Sequence, residues 1–149
     1  MKRNEKAMML FDQGCNCSQA VLMAYVDVFD LDVSTMERVS VAFGGGMSKQ
    51  GKTCGCMTGA LMILGLKYGI DSTTIISNRI LSYNKGKEFI QIFHATFGET
   101  ECKQLIKLDL NKKEDLEEAS KNVFGSRCKQ MVGKTVELLD EFLGNDEKL

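Results

Sequence analysis

Six cysteines, at positions 15, 17, 54, 56, 102 and 128, are the residues of this chain best suited to chemistry. A thiol becomes useful when it ionises, because the thiolate is both the nucleophile and the metal-binding form. Four of the six share one local context. Cys17 follows Asn16, Cys54 follows Thr53, Cys102 lies two after Thr100 and Cys128 two after Ser126. A glycine stands within four residues before each of them. Glycine interrupts a helix and Asn, Thr or Ser caps the next one, so all four are expected at helix N-termini. The partial positive charge and free N–H groups there favour an anion and lower a thiol's pKa. Taken singly, each cysteine reads as a small core side chain. The fourfold repetition points instead to one shared site of Cys17, Cys54, Cys102 and Cys128, with Cys17 and Cys54 as the reactive pair. Cys15 is expected just outside its helix, as a resolving thiol or a spectator. Cys56 would point about 200° round a regular helix from Cys54 and is expected to stand apart from the site.

The elements that must position these thiols are read as helices. Residues 3 to 13 form a first helix that packs Met8, Met9 and Phe11 and ends at Gly14. Asn16 caps a second, with Cys17, Ala20, Val21, Ala24 and Val28 on one face. Ser34 or Thr35 starts a third, running through Met36, Val39 and Val41 to Phe43. Three glycines then stop the chain, and Thr53 caps a helix that ends at Gly69. The first face of that helix is small, with Gly55, Gly59 and Ala60, so another backbone can approach. Its stretch from Leu61 to Leu66 is apolar nearly all round and expected to be buried. Ser72 begins a long segment, broken or bent near Gly86, whose Phe89, Phe93 and Phe97 make a core ridge before Gly98. Thr100 caps a short helix holding Cys102. Residues 111 to 119 read as a charged, solvated loop or helix. The last helix, capped by Ser126, carries Cys128, Val132, Val136, Leu139 and Leu143 as a stripe. An all-α single domain of about six to eight helices over residues 1–149 is the expected architecture.

Composition narrows the class of function. A chain of 149 residues with net charge −1 and charges spread along it offers no basic patch for nucleic acid. The N-terminal run is too polar for a signal peptide, and no segment reaches the roughly 18 apolar residues of a membrane span. A cytoplasmic protein is therefore expected, with no membrane partner. In that compartment six cysteines are more often reactive or metal-bound than a permanent disulfide frame. Four thiolates also suit zinc or an iron–sulfur cluster, which makes a metal site at the same four cysteines the alternative reading. No C-x-x-C occurs, so the thioredoxin signature and the usual zinc-ribbon and ferredoxin spacings are missing.

Two further features compete for attention. Gly46 to Thr53 satisfies G-x-x-x-x-G-K-S/T, the string of a phosphate-cradling loop, and follows Val39 to Phe43, which can pass for a strand. Nucleotide binding there needs that strand inside a parallel sheet, and no further set of strands is evident. His94 is the one histidine. It reads as a core or boundary residue beside the phenylalanine ridge, with metal ligation or proton relay as the alternative.

Five blocks of sequence come in a telling order: G-C-N-C-S-Q-A-V (Gly14 to Val21), F-G-G-G-M (Phe43 to Met47), C-G-C-M-T-G-A-L-M-I-L-G (Cys54 to Gly65), F-G-E-T-E-C (Phe97 to Cys102) and the late Cys128. Together they resemble the C_GCAxxG_C_C family of redox-active proteins, over nearly the whole chain. The resemblance implies a small helical prokaryotic protein whose cysteines do redox work. Carried over by position, the family's cysteines are Cys17, Cys54 or Cys56, Cys102 and Cys128. The central block departs from the pattern, because Met57 rather than Ala follows Gly55-Cys56. A redox partner is implied. A homodimer is one permitted assembly.

Overall fold

The computed structural model describes residues 1–69 and 75–147. Its elements in chain order are α1 (Arg3–Asp12), α2 (Cys17–Met23), α3 (Val26–Phe29), α4 (Val33–Ser40), a 3₁₀ turn (Val41–Phe43) and the single turn α5 (Gly44–Met47). Then follow α6 (Gly55–Tyr68), α7 (Ile75–Phe97), α8 (Cys102–Ile106), α9 (Lys113–Asn122), a π-helical turn (Phe124–Cys128) and α10 (Lys129–Glu147). The architecture is all-α, as expected. Among the described residues the β-type pairing is one isolated bridge between Thr53 and Glu101.

Local chemistry explains the first two helices. Gly14 takes φ +111°, a value that favours glycine. The turn it makes lets the Gly14 and Cys15 amides donate to the Phe11 and Leu10 carbonyls, closing α1. Two residues on, Asn16 and Gln19 form a reciprocal capping box. The Asn16 side chain accepts from the Gln19 amide at 3.0 Å, and the Gln19 side chain accepts from the Asn16 amide at 3.0 Å. Cys17 is thereby fixed as the first residue of α2.

Packing then assembles the frame. α1 lies on α10 and on α2, α2 on α6, α6 on α7, and α10 reaches α2, α6 and α7. The α2–α6 contact is close because α6 presents glycine. A Cβ at Gly59 would fall 2.9 Å from the Ser18 carbonyl oxygen and 3.0 Å from Val21 Cβ. The main core gathers Val21, Leu22, Ile63, Phe89, Val132 and Leu139, all buried. Phe89 and Phe93 are fully buried, and Phe97 packs on Phe93 as a tilted pair with ring centroids 4.6 Å apart. A smaller cluster holds Cys102, Ile106, Leu110, Ala119 and Cys128. Phe11 and Cys17 pack against both clusters, so the cysteine region lies along the seam between them.

Several helix starts differ from the expectation. The α4 cap is Asp32, which accepts from both the amide and hydroxyl of Thr35, because a carboxylate three residues before an amide outcompetes a later hydroxyl. Thr53 and Thr100 cap nothing. Their segments are extended and pair with each other: Cys54 N–H donates to the Thr100 carbonyl at 2.9 Å, and Cys102 N–H to the Lys52 carbonyl at 2.7 Å. The helices they precede start one residue later, with Cys54 and Glu101 as the caps. Ser126 caps nothing either. Its hydroxyl donates to the Asn122 carbonyl, and the chain winds through the π-turn into α10 without a free start. α7 runs unbroken through Gly86. The Ser72 start lies outside the described residues. Met9, Val28, Val39, Val41 and Leu66 were expected on packed faces and are exposed; α2 ends at Met23, and its stripe stays buried through Ala24 without reaching Val28.

Candidate functional site

Each thiol arrives by a different route. Cys17 is held by the Asn16–Gln19 box. Cys54 is delivered by the paired strand-like segments, as the non-helical residue that opens α6. Cys56 follows within the first turn of α6. Gly55 between them lies against Cys17, since a Cβ there would come within 3.0 Å of Cys17 Cβ. Cys102 opens α8, tied to Lys52 by its own amide. Cys128 closes the π-turn, with its N–H donating to the Val123 carbonyl at 3.1 Å. Thus Cys17 and Cys102 stand at helix starts, Cys54 is itself a cap residue, and Cys128 has no free helix end behind it.

All six cysteines line one cavity of about 510 Å³. Within it Cys17 is the hub. The thiols of Cys128 and Cys56 both hydrogen-bond to its sulfur, and Cys56 also bonds to Cys54. Cys56, expected to stand apart, is therefore inside the network. The 200° separation applies only to two residues in one regular helix. Cys54 has ψ 137°, outside the helix, which frees its side chain from that constraint. The direct partners of Cys17 are Cys128 and Cys56, while Cys54 meets the network through Cys56. Cys15 lines the cavity without joining that network.

These bonds sort the thiols by acidity. The Cys17 thiol is held well below its ordinary value, first by the Cys128 thiol donating to it and then by the Cys56 thiol. Burial opposes the shift, and the Cys17 amide assists it. Cys128 is pushed far up, because its proton is committed to Cys17 and because it is buried. Cys56 is raised well above its usual range by its bonds to Cys17 and Cys54 and by burial. Burial, followed by the nearby sulfurs of Cys54 and Cys17, pushes Cys102 up to about 12. Burial and then Glu37 raise Cys15. The arrangement makes Cys17 the thiol shifted toward ionisation, beside Cys56, Cys102 and Cys128, whose thiols are shifted toward keeping their protons.

A pH dependence of stability follows. Above about pH 8.5 the unfolded chain releases thiol protons that folded Cys56, Cys102 and Cys128 retain. The native state then binds more protons than the unfolded state, so stability falls as pH rises. The stabilisation from these three is complete below about pH 8.5 and declines toward the Cys102 value of about 12. Cys17 acts in the opposite sense at lower pH: its contribution is present above about pH 8.5 and is lost as pH falls through its depressed folded value. Urea midpoints of the fully reduced protein are expected to drop between pH 8.5 and 10, with a slope of up to about 1.4 kcal/mol per pH unit for each retained proton. Cys102→Ala should shallow that slope. A flat midpoint across the range would contradict the assignment.

The metal alternative finds no ligand set here: among the described residues no group of three or more His, Cys, Asp or Glu is placed to hold an ion. His94 is exposed on α7 and does not line the cavity, contrary to its expected core or boundary position. The phosphate-loop reading of Gly46 to Thr53 is overturned. Val39 to Phe43 is the end of α4 and a 3₁₀ turn rather than a strand. The amides of Lys49, Gln50, Gly51 and Lys52 are already bonded to the carbonyls of Gly44, Met47, Gly45 and Gly46, so they cannot cradle a phosphate. Its glycines serve packing instead, since a Cβ at Gly51 would fall 2.8 Å from Lys103 Cβ.

No helix among the described residues is long and apolar enough to cross a membrane. Compared with known proteins, residues 15–142 match the model of one family, described as "Putative redox-active protein (C_GCAxxG_C_C)". No curated protein and no solved structure matches the chain.

Proposed function

This chain belongs to the C_GCAxxG_C_C family, and from that premise we propose that it exchanges dithiol for disulfide, with Cys17 as the attacking thiolate and Cys128 as the resolving thiol. The observation that carries this reading is the convergence of all six cysteines on one cavity, with Cys17 at the start of α2 against Gly55 and its thiol shifted down by the neighbouring Cys128 and Cys56. A half-buried thiolate with no partner is costly, and neighbouring S–H groups offset that cost without a cation. In the exchange the Cys17 thiolate attacks one sulfur of a substrate disulfide. That S–S bond breaks, one substrate thiolate leaves, and a mixed disulfide forms on Cys17. Cys128 then gives up its proton, and its thiolate attacks the Cys17 sulfur and expels the second substrate thiolate. The protein loses two electrons and the Cys128 proton, and the substrate leaves as one thiol and one thiolate, which takes its proton from solvent.

Cys128 is chosen over Cys56 for a mechanical reason. A disulfide is about 2.05 Å long, shorter than any S–H···S contact, so the two sulfurs must close up, and the more adaptable segment is better able to follow. Cys56 sits in a regular turn locked against α2 at Gly55 and Gly59. Cys128 ends a π-turn, a local irregularity that is frequent at functional sites and able to re-wind. The test is to treat the reduced protein with one equivalent of a small disulfide and map the products by peptide mass. A Cys17–Cys128 bridge is expected, and Cys128→Ser should stall as a mixed disulfide on Cys17. A Cys17–Cys54 bridge, or products that omit Cys17, would overturn the pairing.

A further inference from the structure

The cavity above the thiols is built for more than water. Its size falls in the range of small-molecule sites, and its walls away from sulfur are apolar, including Phe11, Leu105, Ile106, Leu110, Phe124 and Met131. Its lining contains no carboxylate and one permanent charge, Lys49. Lys49 is exposed, and no ion pair to it forms among the described residues.

How Lys49 is held is the second observation. Gly45, Gly46, Met47, Ser48 and Lys49 all have φ between 54° and 68°, a left-handed turn in which three residues carry a side chain. Each such residue is strained by about 1 kcal/mol or more. The turn persists because its ends are tied: Lys49 N–H donates to the Gly44 carbonyl at 3.1 Å, and Lys52 N–H to the Gly46 carbonyl at 3.0 Å. Gly44 in turn lies directly on the Asn16 side chain, the neighbour of Cys17. A Cβ at Gly45 would meet both Lys49 Cγ at 3.1 Å and Leu110 Cδ1 at 3.4 Å. The stem of Lys49 therefore runs along the apolar rim beside Leu110, a position from which its ammonium meets solvent at the mouth.

We propose that this cavity binds an aliphatic disulfide carrying a single anionic group, with its apolar body against the Leu110 side of the wall, its sulfur toward Cys17 and its anion on Lys49. This rests on the thiol-exchange reading of the same site and names the substrate class for it. Attack by Cys17 on a cyclic disulfide of this kind opens the ring. Resolution by Cys128 releases the ligand as its dithiol and leaves the protein disulfide, so atoms and electrons balance. A disulfide bearing several charges, such as that of glutathione, would leave charges unpaired against an apolar wall.

The experiment compares lipoate with lipoamide, which share one dithiolane ring and differ in the anion, and adds glutathione disulfide. Single-turnover rates of the reduced full chain are measured at low salt, each normalised to the rate of the same disulfide with dithiothreitol. Lipoate is expected to outpace lipoamide about three- to fivefold, as suits an exposed ion pair, and glutathione disulfide is expected to be slowest. Lys49→Met should erase the preference for lipoate and Lys49→Arg should keep it, with melting curves confirming that both fold. Octanoate, which cannot react, should slow iodoacetamide labelling of Cys17, while octanamide does so more weakly. Equal rates for lipoate and lipoamide, or a preference that survives Lys49→Met, would overturn the assignment. If all three disulfides react alike, thiol exchange stands and the substrate class falls. If none reacts and Cys17 labels like an ordinary thiol, the exchange reading falls and takes this inference with it.

Discussion

Cys17→Ser is expected to reduce exchange with small disulfides at pH 7 by about 100-fold. The magnitude follows from opposing effects. A depressed pKa raises the thiolate fraction of Cys17 at neutral pH but also makes it a weaker intrinsic nucleophile, by a Brønsted coefficient of about 0.4 to 0.5. Three of the thiols left behind in the cavity fare worse. Cys102, pushed up to about 12, is thiolate only to about one part in 10⁵ at pH 7, and its greater basicity recovers only a small part of that deficit. Cys56 and Cys128 are likewise held protonated, and part of what holds them, the bond to Cys17, disappears in the variant. The companion measurement is alkylation of Cys17 against pH. In the parent it should rise less steeply from pH 7 to 9 than for an unperturbed thiol, which gains up to about tenfold per unit until it approaches its pKa. Cys128→Ala removes the largest stabilising contact of the thiolate, so the slope should return in that variant, with Cys56→Ala intermediate. A parent profile identical to that of a free thiol would remove the basis for assigning Cys17 as nucleophile.

Gly46→Ala is expected to destabilise the protein by about 3 kcal/mol, the sum of a left-handed penalty and an overpacking penalty. Gly46 has φ 68° and ψ 62° and is buried. The added methyl would lie 2.7 Å from Lys52 N and O and 2.7 Å from Cys102 Cβ. Backbone atoms on that side cannot step aside as a flexible side chain would. Relief has to come from the paired segments around Lys52 and Cys102, which also seat Cys54. Guanidinium melts should therefore show a lower midpoint, and exchange should slow in the folded fraction as the network loosens. Gly65→Ala is the comparison. It lies exposed in α6 with nothing within 4 Å of its added Cβ, and there alanine should be neutral or stabilising by about 0.5 to 1 kcal/mol. Equal stability of the Gly46 variant and the parent would show that the loop is not the clamp described.

What the chain declares by itself is local. The spacing of Asn16, Cys17 and Gln19 specifies a capped helix start because both bonds of the box close within three residues. Gly14 and Gly98 end α1 and α7 through left-handed φ values, again a property of one residue and its neighbours. The buried faces of α7 and α10 are legible because helical period and hydrophobicity agree there. The same local reasoning misplaces Thr53, Thr100 and Ser126 as caps. At the first two, pairing between segments nearly fifty residues apart claims the backbone groups that a cap would have used. At Ser126 a π-turn carries the chain into α10 with no helix end to cap. Cys56 escapes for a related reason: its angle from Cys54 is predictable only if both lie in one helix, and the pairing at Thr100 holds Cys54 outside it. Which thiol becomes the thiolate is decided later still. Cys17 and Cys102 both open helices, yet Cys17 is shifted down and Cys102 up. The difference lies in which sulfur has the Cys128 and Cys56 thiols beside it, and only packing α2, α6 and the π-turn together brings those groups to Cys17.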